Sequence, residues 1–187
     1  FGFIANNYSI SISGTAKNHL DKIIVLPIIG FELLGNYALA LQTYAVLMMF
    51  SKIVYNYTLP HDSVGKTTTK VKIIALISSV IFTLLGVIAT PFIIPAIFPE
   101  YTEAVIAIQI ISLAVIPSTI TLILSSKFLG DENSKIVLTG RIAFAIIIIS
   151  LIVILTPIYG ISGTTGSFVV ASIAQTVILF VYYRLRN

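Results

Sequence analysis

The sequence predicts an all-α integral membrane protein of six transmembrane helices, and three observations carry that expectation. Of 187 residues, 57% are apolar and only 10% are charged, against about 25% charged in an ordinary soluble domain. The charges are also bunched: none lies between Ile73 and Pro99, between Ala104 and Ser126, or between Ile142 and Tyr183. Runs of this length suit lipid, since a helix crossing a hydrocarbon core needs about 20 apolar residues.

The helices are expected over residues 3–29, 35–58, 70–97, 102–126, 135–156 and 163–184 of a single transmembrane domain, 1–187. The first must be counted back to Phe3, because Ile23 to Phe31 alone is too short to span, and Pro27 is placed to kink it. The third carries Pro91 and Pro95 near its outer end, with Pro99 just beyond. The fourth carries Pro117, followed by Ser118 and Thr119. Such prolines fit spanning helices whose freed carbonyls are taken by hydroxyls or neighbouring helices. The fifth and sixth are separated at Thr156-Pro157-Ile158-Tyr159-Gly160-Ile161-Ser162-Gly163. Without that break the run from Ile142 to Tyr183 would make one helix about 63 Å long, roughly twice the core thickness.

Lys and Arg are retained on the cytoplasmic side, which orients the bundle. Lys52, Lys66, Lys70 and Lys72 mark the second connection, Lys127, Lys135 and Arg141 the fourth, and Arg184 and Arg186 the C-terminal end. The first, third and fifth connections have no basic residue; Glu32 lies in the first, and Glu100 and Glu103 in the third. A multi-pass protein of the cell membrane with both termini cytoplasmic is expected. Phe1 is followed by no basic n-region and small-residue cleavage site, so the expectation is a piece of a longer chain.

Chemistry concentrates in the first helix. Stepping about 100° per residue, Asn7, Ser11, Gly14, Asn18, Asp21 and Lys22 fall on one stripe, with Lys17 close outside it. A charge at membrane depth costs at least about 2.5 kcal/mol and normally faces a bundle interior or a wet cavity. Lys17 and Asp21, four apart, are placed to pair. Lys17, Asn18, Asp21 and Lys22 are therefore the candidate substrate-binding or ion-coupling residues. The alternative is an interfacial or broken helix in which the lysines snorkel. His19 lies off the stripe and has no partner at metal-ligand spacing.

Other signals resolve into structure. Val64-Gly65-Lys66-Thr67-Thr68 resembles the end of a phosphate-binding loop, but Pro60 occupies the place of its first glycine and no strand precedes it. His61-Asp62-Ser63 has triad letters in consecutive positions, which cannot form triad geometry. Gln42, Gln109 and Gln175 are expected to bond between helices, and Gly160, Gly163, Gly166, Ser167, Ala171 and Ala174 to form a packing face. The chain contains no cysteine, which excludes disulfides, thiolate metal sites and a cysteine nucleophile. No cofactor, catalytic residue, metal or nucleic-acid partner is expected, because the basic residues flank apolar spans instead of forming one patch.

The order of features resembles the C-terminal lobe of polysaccharide flippases of the multidrug/oligosaccharidyl-lipid/polysaccharide superfamily. The similar passages are Leu20-Asp21-Lys22 through Gly30 followed by Gly35-Asn36-Tyr37-Ala38-Leu39-Ala40, then Phe98-Pro99-Glu100-Tyr101-Thr102-Glu103-Ala104, and the Pro157-Ile158-Tyr159-Gly160-Ile161-Ser162-Gly163 turn. Pro99 departs from the family's usual glycine. The resemblance implies a six-helix lobe of a two-lobe transporter that flips a polyprenyl-pyrophosphate-linked oligosaccharide across a prokaryotic cell membrane. Its implied partners are the lipid-linked oligosaccharide, membrane lipids, and a missing N-terminal lobe or a second copy of the chain. The alternatives are a cation-coupled multidrug exporter lobe and a non-transporting membrane scaffold.

The orientation is testable because the chain is cysteine-free. Ser63→Cys is expected to resist labelling from outside intact cells, whereas Thr102→Cys and Ser162→Cys should be labelled; labelling of Ser63→Cys but not Thr102→Cys reverses the topology.

Overall fold

The computed structural model describes residues 34–186. Among them every regular element is helical: α1 (Leu34–Leu47), α2 (Met49–Ser63), α3 (Thr69–Ile97), a 3-10 turn (Pro99–Tyr101), α4 (Ala104–Ser112), α5 (Val115–Gly130) and α6 (Ser134–Arg186). α3, the α4–α5 segment and α6 are each long and apolar enough to cross a membrane, and α1–α2, bent by 47°, makes a fourth if counted as one span. The expected helix over residues 3–29 lies outside the described residues.

The 53 residues of α6 form two rods. Gly160, at φ 56° and ψ −133°, interrupts the helix, and Pro157 just before it has no N–H to give. The arms then run back along each other. Phe144 and Phe168 meet edge-to-face with ring centroids 5.6 Å apart, a Cβ placed on Gly140 would lie 3.1 Å from Leu179 Cδ2, and the Thr156 and Thr164 hydroxyls are 3.0 Å apart. These pairs are arranged about Gly160, as in an antiparallel hairpin. The expected connection over 157–162 is thus a single-residue corner, with helical hydrogen bonding continued on both sides. The close packing of the two arms on each other, down to the Thr156–Thr164 hydroxyl pair, holds the corner tight.

Two other boundaries differ from expectation. α2 continues through Pro60 to Ser63, where helix-end N–H groups fold back, Gly65 N–H to the Asp62 carbonyl and Lys66 N–H to that of His61. α5 runs on to Gly130, which packs against the backbone of Asp62 and Ser63. Both extensions are held by tertiary contacts that local propensity does not contain.

The packing is inverted relative to a water-soluble bundle. α3 buries Ala75, Ser79, Thr83, Gly86, Thr90 and Ile94 at three- or four-residue spacing. Its exposed face carries Ile73, Ile77, Ile81, Leu84, Ile88 and Phe92. Small and hydroxyl-bearing residues inside with large aliphatic residues outside is the arrangement lipid permits, since close backbone approach, and not burial of bulk, binds such helices together. Where bulk is buried, one cluster gathers Tyr37, Ile108, Phe144, Ile152 and Phe168. A second gathers Leu124, Phe128, Val137 and Leu179 nearer the other end.

The polar ends also segregate. At one end Asn36 Nδ2 approaches Glu103 Oε2 at 3.5 Å. At the opposite end Asp62 meets Lys72 and Ser126, and Asp131 meets Arg186. Lys66, Lys70, Lys72, Lys127, Lys135, Arg184 and Arg186 belong to this second end, in the connections or the adjoining helix turns. Lys52, inside the helix expected over 35–58 but counted with the second connection, is set apart from this end. It is not in a connection but on α2, eleven residues before Ser63, about 16 Å up the helix. Arg141 likewise lies within α6, within electrostatic reach of Tyr55 on α2.

The corner generates a stability test. A Cβ on Gly163 would lie 2.3 Å from the Leu155 carbonyl oxygen, whereas one on Gly166 meets nothing within 4 Å. Gly163→Ala is therefore expected to destabilise the detergent-solubilised protein by about 1–3 kcal/mol, read as a lower thermal midpoint, while Gly166→Ala leaves it unchanged or slightly raised.

Candidate functional site

Lys17, Asn18, Asp21 and Lys22 lie outside the described residues, as does His19. Within residues 34–186, polar groups in the apolar helices include a buried set bonded within or between helices and an exposed set concentrated on one face of α1–α2.

The buried set surrounds two breaks that adjoin each other. The first is the bend between α1 and α2 at Met48. The second lies between α4 and α5, where the N–H groups of Leu113 and Ala114 bond to the Ile110 and Ile111 carbonyls, three residues back, a tightened turn. Tyr44 donates to Ser118 Oγ at 2.6 Å, and the Ser51 and Thr119 hydroxyls are 2.8 Å apart. Thr119 Oγ1 also lies 3.8 Å from Met48 Sδ. Behind Pro117, Thr176 Oγ1 of α6 lies 2.8 Å from its carbonyl oxygen and 2.9 Å from Thr121 Oγ1. The hydroxyls after Pro117 thus bridge helices, Ser118 to α1 and Thr119 to α2. Gln109 also bonds across helices, its Nε2 donating to the Val87 carbonyl at 2.9 Å, and Gln175 is buried. Gln42 is exposed on α1. Of the expected small-residue face, Gly163, Ser167 and Ala171 are buried, while Gly166 is half-buried.

The exposed set is Gln42, Lys52 and Asn56, together with Val46, Met49, Ile53 and Tyr57 along the same outer side of α1–α2. Among the described residues no carboxylate lies within ion-pair distance of Lys52. The contrast is with α3, where the stretch from Ile73 to Phe92 exposes mainly large aliphatic side chains. Spacing at 42, 46, 49, 52, 53, 56 and 57 is legible in the sequence as one helical face. It is obscured because a lone lysine beside a basic connection reads as an end marker.

Asp62 organises the basic end. Its carboxylate accepts from Lys72 Nζ at 2.7 and 2.8 Å, from Thr68 Oγ1 at 2.9 Å and from Ser126 Oγ at 2.6 Å. Ser126 also lies 3.0 Å from Thr58 Oγ1. This cluster joins α2, the following connection, α3 and α5. Burial pushes the Asp62 carboxyl upward, but the hydrogen bonds from Lys72, Ser126 and Thr68 and the Lys72 charge outweigh it and hold the group below its usual range. His61 makes no triad with it; its Nδ1 lies 2.8 Å from the Tyr57 carbonyl and its ring stacks on Tyr57. The Val64–Thr68 stretch follows a helix end, not a strand. Among the described residues no group of three His, Cys, Asp or Glu is placed to hold a metal ion.

Comparison with family models, with characterised proteins and with solved structures finds no match.

The Asp62 cluster sets a pH dependence. A carboxyl whose folded pKa is depressed contributes stability above its unfolded value, and that contribution is lost as pH falls through the folded one. Asp62→Asn is expected to lower stability at pH 7 by about 1–3 kcal/mol. The gap between the variant and the unsubstituted protein, followed as thermal midpoints, should close as pH drops below about 3.8, the unperturbed carboxyl value.

Proposed function

We propose that this chain is a six-helix lobe of a membrane transporter that flips a polyprenyl-pyrophosphate-linked oligosaccharide for polysaccharide biosynthesis, and that it performs no chemical conversion. The observation that carries the transport half of this reading is the exposed Gln42, Lys52 and Asn56 face, on a bundle whose other long helices present aliphatic residues outward. A lysine facing hydrocarbon costs at least about 2.5 kcal/mol, so such a face requires a wet cavity or a polar partner. The adjoining breaks in α1–α2 and α4–α5 support the same reading, because discontinuous helices commonly line transporter binding sites. The substrate half rests on the resemblance of the Gly35–Ala40, Phe98–Ala104 and Pro157–Gly163 passages to polysaccharide flippases.

In this mechanism the cavity is completed by an N-terminal lobe or a second copy of the chain. Lys17, Lys22 and Lys52 attract the pyrophosphate, while Asp21 keeps a lysine poised or binds the coupling ion. Neutral Asn18, Gln42 and Asn56 offer hydrogen bonds to sugar hydroxyls. The chain sits in the cell membrane with both termini and the basic end cytoplasmic, where a lipid-linked substrate would be loaded.

The test is translocation of lipid-linked sugar measured together with membrane abundance. Asp21→Asn, Lys17→Gln and Lys52→Gln are each expected to reduce translocation at least tenfold at near-normal abundance, since exposed or wet ion pairs add only about 0–1 kcal/mol to stability. Falling abundance or released partner subunits with no specific transport loss identifies an assembly face and a scaffold. Normal translocation in all three variants removes these residues from the mechanism.

A further inference from the structure

A second polar feature at the basic end stands apart from the α1–α2 face. Between the end of α5 and the second arm of α6 lies a cleft of about 170 Å³ lined by Lys127, Phe128, Asp131, Tyr183 and Arg186. Lys127 Nζ sits 4.5 Å above the centre of the Tyr183 ring and 3.4 Å from its hydroxyl oxygen. That geometry holds the ammonium over an aromatic face without neutralising it. Arg186 reaches Asp131 through one nitrogen, Nη1, at 3.3 Å, and both side chains remain well exposed. The cleft thus presents two cations against one carboxylate, with an aromatic floor.

Its location selects the ligand. The arm that supplies Tyr183 and Arg186 also exposes Val177, Phe180, Val181 and Leu185, the last at 80%. A molecule seated here would place an anionic group between Lys127 and Arg186 while apolar chains lie along the outer face of the same helix. We infer that this cleft binds the phosphate headgroup of an anionic membrane phospholipid, with Lys127 and Arg186 as its cationic contacts and Asp131 as the competing anion that opens the site when Arg186 turns to the ligand. Clefts of this kind between helices at a basic membrane face suit such headgroups. A free phosphate would satisfy the cations but leave the aliphatic flank unused. This inference does not depend on what the protein transports.

The experiment uses the whole chain in bilayer discs of phosphatidylcholine containing graded phosphatidylglycerol, with retained lipid counted by native mass spectrometry after release. One phosphatidylglycerol per chain is expected. Lys127→Gln with Arg186→Gln should weaken its retention about 25-fold, roughly fivefold per cation, and Asp131→Asn should strengthen it. The opposite signs separate a binding effect from loss of folding, which would weaken retention in every variant. Lys66→Gln with Lys70→Gln removes the same net charge from the neighbouring connection and should leave retention within twofold. Equal weakening by that control pair shows diffuse attraction to the basic end and overturns the site. Displacement of the lipid by millimolar inorganic phosphate, with no preference for the lipid, assigns the cleft to free phosphate and overturns the lipid reading. Absence of retained phosphatidylglycerol in the unsubstituted chain overturns both.

Discussion

Hydroxyls buried between these helices have no water to fall back on, and the architecture follows from how each one finds a partner. Ser79, Thr83, Thr90 and Ser112 return to carbonyls of their own helices, which lets a polar side chain sit in an apolar interface at little cost. Others reach across: Tyr44 to Ser118, Ser51 to Thr119, Thr121 to Thr176. Among the described residues a single buried side-chain atom, Asn36 Oδ1, lacks a partner. Once the interior is made of small bonded residues, helices approach closely and the large aliphatic side chains are left for the outside.

Irregularity and polarity occur together. Both helix breaks lie where α1–α2 meets α4–α5, and the groups that bridge there are the hydroxyls of Tyr44, Ser51, Ser118 and Thr119. A break relaxes the constraint that each backbone group bonds within its own helix, and the hydroxyls take up the slack. The outer side of the same bent helix carries Gln42, Lys52 and Asn56. Polar residues thus lie on the outer side of the helix that is discontinuous.

At the basic end, charge is handled in two ways with different consequences. Asp62 is enclosed by Lys72, Thr68 and Ser126 and ties three helices together, so its contribution is cohesion. Asp131 and Arg186 touch through one nitrogen and stay exposed, so their contact adds little stability and leaves the guanidinium available to another anion. Enclosure separates a structural ion pair from one that is free to exchange.

The sequence by itself determined the helical class, the apolar stretches and the segregation of basic residues toward one end, because each depends on local composition. Charge-free runs from Ile73, Ala104 and Ile142 are visible without knowing what packs against them, and α3, Thr69–Ile97, lies within a residue of the helix expected over 70–97. Tertiary structure decided the features that depend on neighbours. α2 outlasts Pro60 because Asp62 is anchored from α3 and α5, and Thr156–Gly163 collapses to a corner because its two arms pack on each other. Lys52 belongs to a helix face and not to a connection. The helix expected over 35–58 already contains Lys52; what packing decided is that its side of the helix is left uncovered. The pairing of the two helix breaks, and the meeting of Lys127 with Tyr183 and Asp131 with Arg186, join positions more than fifty residues apart, and only the packing of the arms brings them within reach.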